Sequence, residues 1–433
     1  MPLVTQTFNH KTLMRIAIVM AFVQFTNALE YMALTPVFAF MADGFSVPVS
    51  FSGYVSGMYT LGAVLSGIMA FYWIDLFNKK QFLFKNMVLL GALTFLSTLT
   101  THFGTLLALR FCAGLVGGTT MGVGMSILIN YAPANLRGKM LATVIASFSL
   151  VSIVGMPAIL FLCTHYGWHT ALWLISSLCL LSLPLIVFII PKDTLSPGVQ
   201  RKLSIDSPTL LFASCTALVQ FSPMLIIPIL TPLMTQYMGA QQNLLPLLFL
   251  SGGIAGYLTT KITGMLTSRL SALLLAIIST LLFVASLLIP AMGYHNVFLF
   301  ITLFLGASYS RLVCASSVVV PFPEDKQRAS FTSLQTAMMY LITTLAFFLS
   351  SLLLPDQEIT TQNLNTLLVV SALAASVFPV LVIILQKKLA TRTIPSDPSS
   401  LISITSAPAA ERTVRFCSVT PLPVPARCTT ALR

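Results

Sequence analysis

Apolar runs of about 20 residues, the length a helix needs to cross a hydrocarbon core, recur along this chain from one end to the other. Twelve are counted, approximately Leu13 to Phe40, Ser52 to Trp73, Phe84 to Thr100, Leu106 to Tyr131, Met140 to Cys163, Thr170 to Ile190, Leu210 to Met234, Leu244 to Thr267, Ser271 to Ile289, Val297 to Val320, Phe331 to Leu354 and Leu367 to Leu385. Each has to be helical, because lipid offers no hydrogen-bond partner to a backbone amide. Composition agrees: the 433 residues are 56% hydrophobic and 8% charged, with mean hydropathy +0.92, against about 25% charged in an ordinary soluble domain. The predicted fold class is an all-α membrane protein with 12 transmembrane helices.

The formal charge of +12 invites a nucleic-acid role, and the positions of the basic residues remove the need for one. Lys11 and Arg15 open the first span; Lys79, Lys80 and Lys85 follow the second; Arg137 and Lys139 follow the fourth; Lys192, Arg201 and Lys202 lie after the sixth. Lys261, Arg269, Lys326, Arg328 and the basic tail continue the pattern, while the alternate loops carry none. That is the positive-inside distribution of an even number of spans with both termini cytoplasmic. Only Arg110 and Arg311 remain outside it. The expected location is the cell (inner) membrane, multi-pass. The first run is too long for a secretory leader and contains Glu30, so it is expected to stay in the mature protein. The seven cysteines show no Cys-x-x-Cys and no histidine partners at ligand spacing, so neither a disulfide frame nor a metal site is expected.

The sequence also repeats itself. VQFTNALEYMALTP, Val23 to Pro36, returns as VQFSPMLIIPILTP, Val219 to Pro232, with Val23, Gln24, Phe25, Leu29, Leu34, Thr35 and Pro36 identical at a constant offset. An ungapped repeat of this kind reads as a duplication of six spans. The predicted organisation is a cytoplasmic lead 1–12, a six-helix bundle 13–190, a cytoplasmic linker 191–207, a second six-helix bundle 208–386 and a disordered basic tail 387–433, rich in Ser, Thr, Pro and Ala. Where the first copy has Glu30 the second has Ile226, so one half carries a titratable group and the other a hydrocarbon.

Several motifs resemble the major facilitator superfamily. Asp75-Leu76-Phe77-Asn78-Lys79-Lys80 after the second span is similar to that family's loop, in which an Asp and two basic residues form a charge relay with neighbouring helix ends; Asn78 stands where the family has Gly. Asn tolerates a left-handed turn better than most non-Gly residues, so the departure is mild. RFCAGLVGGTTMGVG in the fourth span, from Arg110, resembles the family's fourth-helix signature, and Gly155-Met156-Pro157 its antiporter kink. The resemblance covers about residues 13–386 and implies a drug/proton antiporter-like branch with two pseudo-symmetric bundles around a central cavity lined by spans one, four, seven and ten.

Three charges lie inside spans, and an intramembrane charge is a functional candidate by default. At about 1.5 Å per residue, Glu30 lies roughly 10 to 15 Å below the outer end of its helix and Arg110 roughly 6 Å below its own, close enough to meet. A poorly hydrated carboxyl favours its neutral form, and a nearby guanidinium or a cationic substrate favours the charged one. Proton and substrate can therefore exclude one another at Glu30, with Arg110 tuning the charge. Arg311 sits deeper and either lines the cavity or snorkels to the inner surface. Further cavity candidates are Asn27, Tyr31, Gln220, Ser222, Tyr309, Gln335, Met339 and Tyr340, a mixture suited to a medium-sized amphipathic ligand. Asp75, Lys79, Lys80, Gly155 and Pro157 form the expected conformational loop and kink, and Pro223, Pro228 and Pro232 should bend the seventh span.

The function expected is secondary active transport of a small molecule, as proton-coupled efflux of an amphipathic compound. The alternative is an importer or facilitator of a small metabolite on the same fold, for which Arg110 and Arg311 would attract an anionic substrate, and a sensor or scaffold acting through the tail is a third. An enzyme is disfavoured, because the sequence has no nucleophile elbow, no His-rich ligand set and no phosphate loop. No cofactor is expected beyond a proton gradient; the expected partners are substrate, protons and lipid, and the chain is expected to act as a monomer.

Overall fold

The computed structural model describes residues 10–73, 78–131, 134–191, 206–323, 328–354 and 360–393. Among them there is no strand. The elements are α1 (His10–Val37), α2 (Ser52–Trp73), α3 (Lys79–Ser97), α4 (Phe103–Tyr131), α5 (Ala134–Leu150), α6 (Met156–Tyr166), α7 (Trp168–Ile189), α8 (Ser207–Ile226), α9 (Leu230–Pro232), α10 (Leu245–Leu266), α11 (Ala272–Ala291), α12 (Val297–Val319), α13 (Arg328–Leu353) and α14 (Thr361–Thr393). Residues 1–385 form one compact unit; of the second, Gln386–Arg433, the described residues are helical. The expected linker and tail lie largely outside the described residues.

Helical segments cover the apolar runs, and among the described residues 10 are long and apolar enough to cross a membrane by length and composition. The two that do not count are α2 and α3. The run near residue 84 starts earlier than its apolar stretch, at Lys79, because Asn78 caps α3: its side chain accepts from the Gln81 amide at 3.1 Å. Asn78 is extended, at φ −65° and ψ 109°. Asn78 therefore acts as a helix cap, a use its short side-chain acceptor suits.

Two helices are broken in the way their sequences suggest. Between α5 and α6 the backbone passes through a π turn, Val151–Gly155, and Pro157 sits in the first turn of α6, where its missing N–H removes no bond. After α8, which contains Pro223, a 3-10 turn at Ile227–Ile229 and a π turn at Leu233–Tyr237 flank α9. Both interruptions fall in the spans where bends are expected.

We call the end of the bundle that carries residues 38–51 distal, and the end near Lys11 proximal. At the distal end a single buried core draws on both halves, joining Leu34, Phe38, Met41 and Phe45 to Leu230, Leu233, Met234 and Phe300. Hydrogen bonds cross between the halves there: Ser52 Oγ donates to the Pro228 carbonyl, and Ser351 Oγ to the Ser50 carbonyl at 2.7 Å. Deeper, Thr344 and Thr60 share a bond of 2.8 Å, and Ser152 meets Tyr309 at 2.9 Å. The second core, around Ile16, Met20, Met87, Ile127 and Ile186, holds residues of the first half alone.

Candidate functional site: a buried ion pair beside a tyrosine cluster

α1 is apolar enough to bury on most of its circumference, and the packing leaves little room for water: Gln24 is 0% exposed and Glu30 2%. What lets bulky polar side chains fit there is the glycine series on α4. A Cβ on Gly117 would collide with Tyr59 Oη and crowd Asn27 Oδ1, and one on Gly124 would crowd Met20 and Gln24. One turn earlier on α4, Gly114 lies against the Tyr59 backbone, which brings α2 close to it.

In this seam Arg110 Nη1 donates to Glu30 Oε1. The same oxygen accepts from Thr94 Oγ1 of α3 at 3.3 Å. The guanidinium also lies over the Tyr59 ring, 4.8 Å from its centroid. Tyr59 stacks on Tyr31 at 5.3 Å, and Tyr31 meets Tyr340 of the second half edge-on at 6.3 Å. The ion pair is thus linked through three rings to the opposite bundle. Several buried atoms around it have no partner: Gln24 Oε1, Asn27 Oδ1, Glu30 Oε2, Arg110 Nε and Arg110 Nη2. A site with both orphan acceptors and orphan donors is under-satisfied for a purely structural pair.

The sequence-predicted residues fall into three groups. Glu30, Arg110, Asn27, Tyr31 and Tyr340 come together. Tyr309 reaches Ser152 in the π turn, and Gln335 donates to Thr216 at 2.8 Å, with Gln220 and Met339 half-buried on α8 and α13. Arg311 and Ser222 form a separate place. Arg311 is 0% exposed and does not snorkel; its Nη1 donates to Ser222 Oγ at 2.6 Å and its Nη2 to the Ala375 carbonyl at 3.2 Å. Phe283 and Phe378 face the guanidinium at 4.8 and 5.6 Å. All four neighbours belong to the second half, so Arg311 points into the interior of its own bundle.

In the loop region, Asp75 lies outside the described residues. Lys79 opens α3, and Lys80 Nζ reaches the Val187 carbonyl at 2.8 Å and the Ile190 carbonyl, at the end of α7. A cation on the last carbonyls of a helix satisfies groups that have no partner within it. Gly155 closes the π turn against Leu29. Tyr59 and Thr94 touch the ion pair and were passed over by the sequence reading. Tyr59 sits in a glycine-rich span that reads as plain close packing; the signal that could have found it is a large polar aromatic in the middle of that span.

The profile of the Major Facilitator Superfamily matches residues 20–209. An uncharacterized MFS-type transporter of Bacillus subtilis, YtbD, is 24% identical over 50% of this chain and 56% of its own. The niacin transporter NiaP of Acinetobacter baylyi is 29% identical over 35% of this chain and 32% of its own. The chain therefore spans about half the length, or less, of these relatives. Among solved structures, a bacterial homologue of the human lysosomal transporter Spinster, in an inward-facing and occupied conformation, superposes with TM-score 0.67 at 15% identity, covering 86% of this chain and 96% of that one. Over residues 20–209 the chain is thus similar to the major facilitator superfamily, and it shares the fold of the solved transporter.

Proposed function

We propose that the chain is a secondary active transporter that works by alternating access and expels an amphipathic compound in exchange for protons. The observation that carries this reading is the Glu30–Arg110 pair, nine-tenths and more buried, under-satisfied, and joined through Tyr59, Tyr31 and Tyr340 to the opposite half. A carboxylate held by a guanidinium is released when it takes up a proton, and the freed Arg110 then alters its contact with the Tyr59 ring. A donor-bearing or cationic substrate competes with the proton for the same carboxylate oxygens, which is the exclusion that antiport requires. In the expected orientation, with both termini cytoplasmic, packed distal ends and a proximal core confined to the first half are what an inward-facing state would have.

The test uses inverted membrane vesicles acidified by respiration. Lipophilic cations, neutral drugs and small organic acids are added to wild type and to Glu30→Gln, and proton release is followed. A compound that dissipates the gradient with wild type alone supports antiport at Glu30. A compound that acts equally on Glu30→Gln refutes it.

A second reading, import of a small anionic metabolite, is favoured by Arg311, a buried cation in the half that lacks the carboxylate. The similarity to a niacin transporter points the same way, since niacin carries a carboxylate. Uptake of labelled organic acids that is lost in Arg311→Gln and kept in Glu30→Gln would make import the function.

A further inference from the structure

The two halves carry one buried arginine each, and only one of them is neutralised. Arg110 has Glu30. The position that the repeat sets against Glu30 is Ile226, itself 0% exposed. No Asp or Glu occurs in the sequence between Asp206 and Glu324, nor between Asp325 and Asp356, nor between Glu358 and Asp397. The spans of the second half therefore contain no carboxylate that could meet Arg311. α12 runs on for about 12 Å past Arg311 before it ends at Val319.

The neighbours that Arg311 does have are neutral. Of the five N–H groups of a guanidinium, one from each terminal nitrogen is used, on Ser222 Oγ and the Ala375 carbonyl. Nε has no partner. The rings of Phe283 and Phe378 offer their faces to the cation but no formal charge. Thr280, one turn from Phe283 on α11, has a buried hydroxyl that is also without a partner. A guanidinium keeps its proton under all ordinary conditions, and an ion fully removed from water needs an opposite charge or a very complete set of hydrogen bonds. Among the described residues neither is supplied.

We propose that Arg311 holds a small monovalent anion, a halide or the carboxylate group of an organic acid, inside the second half of the protein. The anion takes the free N–H groups of the guanidinium, and Ser222 fixes the guanidinium plane so that they face it. This assignment does not depend on the direction of transport or on the role of Glu30.

The experiment is thermal unfolding of the purified full-length chain in detergent micelles, titrated with potassium chloride, potassium bromide or potassium benzoate at ionic strength held constant with potassium sulfate. An anion that binds the folded state raises the unfolding temperature with the logarithm of its concentration above its dissociation constant. Wild type is expected to show such a rise with at least one of the three salts, Ser222→Ala to need at least about threefold more salt for the same shift, and Arg311→Gln to show none. A response to the halides alone identifies an inorganic anion, and a response to benzoate alone a substrate carboxylate. The proposal is overturned if wild type responds to none of the salts, or if the response survives undiminished in Arg311→Gln. Should Arg311→Gln fail to fold, the comparison of wild type with Ser222→Ala decides: equal midpoints overturn the assignment.

Discussion

Removing Glu30 should harm the fold more than removing its partner. Glu30→Gln preserves shape and leaves Arg110, 1% exposed, as an unpaired cation whose Nε and Nη2 are already without partners. Breaking a buried pair in this way costs about 3 to 5 kcal/mol. Arg110→Met is gentler, because the surviving carboxyl can take up a proton and keep its bond from Thr94, whereas a guanidinium cannot shed one. The expected loss there is roughly 2 kcal/mol, the scale of an unsatisfied buried polar group. The double variant Glu30→Gln with Arg110→Met removes both charges and should recover most of the deficit, giving a coupling energy of at least about 2 kcal/mol. The assay is reversible unfolding in mixed micelles with rising dodecyl sulfate mole fraction, followed by tryptophan fluorescence, with the four proteins compared in one cycle. Additive single-variant losses below about 1 kcal/mol would refute the reasoning, since the two groups would then be solvated independently in the folded protein.

Other outcomes follow from the same geometry. Gly114→Ala should reduce the yield of monodisperse protein sharply, because a Cβ there meets the Tyr59 backbone and a helix backbone cannot yield; Gly122→Ala, where a Cβ meets nothing within 4 Å, should purify like wild type. In a cysteine-free background, Thr60→Cys with Thr344→Cys replaces two hydroxyls 2.8 Å apart and should cross-link on mild oxidation. The cross-link is expected to stop transport by holding the distal ends together, with activity returning on reduction; full activity in the oxidised protein would rule out opening at that end. Tyr340→Ala should raise the substrate concentration needed for half-maximal proton release several-fold and leave expression unchanged, and an unchanged midpoint would remove Tyr340 from the binding path.

Much of the architecture was legible because hydrocarbon thickness acts on every span alike: apolar length gave the helices, and the placement of lysine and arginine gave their expected direction. The Glu30–Arg110 pair was legible for a similar reason, since helical rise alone sets both groups at compatible depths. Rotation about the helix axis is another matter. Arg311 has the same chemistry and a span of the same kind, yet its side chain turns into its own bundle, towards Phe283 and Phe378, and nothing in the spacing of α12 residues announces that. Tyr59 was missed because its place depends on a stacked neighbour, Tyr31, far along the chain rather than on any local pattern. Asn78 shows the limit of analogy: a residue read as a substitute for glycine is used for its side-chain oxygen.

The π turn at Val151–Gly155 has a consequence for how sequence change would be felt. One residue more than a regular helix needs is wound into that turn, so everything from Met156 to Tyr166 is rotated by about 100° from where an uninterrupted helix would put it. Deleting any one residue there would leave a perfectly acceptable helix. It would also swing Ile159, Leu160 and Cys163, now buried in the core shared by both halves, round towards a different neighbour, and withdraw the Ser152 carbonyl from Gly253. The register of one short distal helix is in this way set by a single surplus residue, and insertions elsewhere in the same span could not replace it.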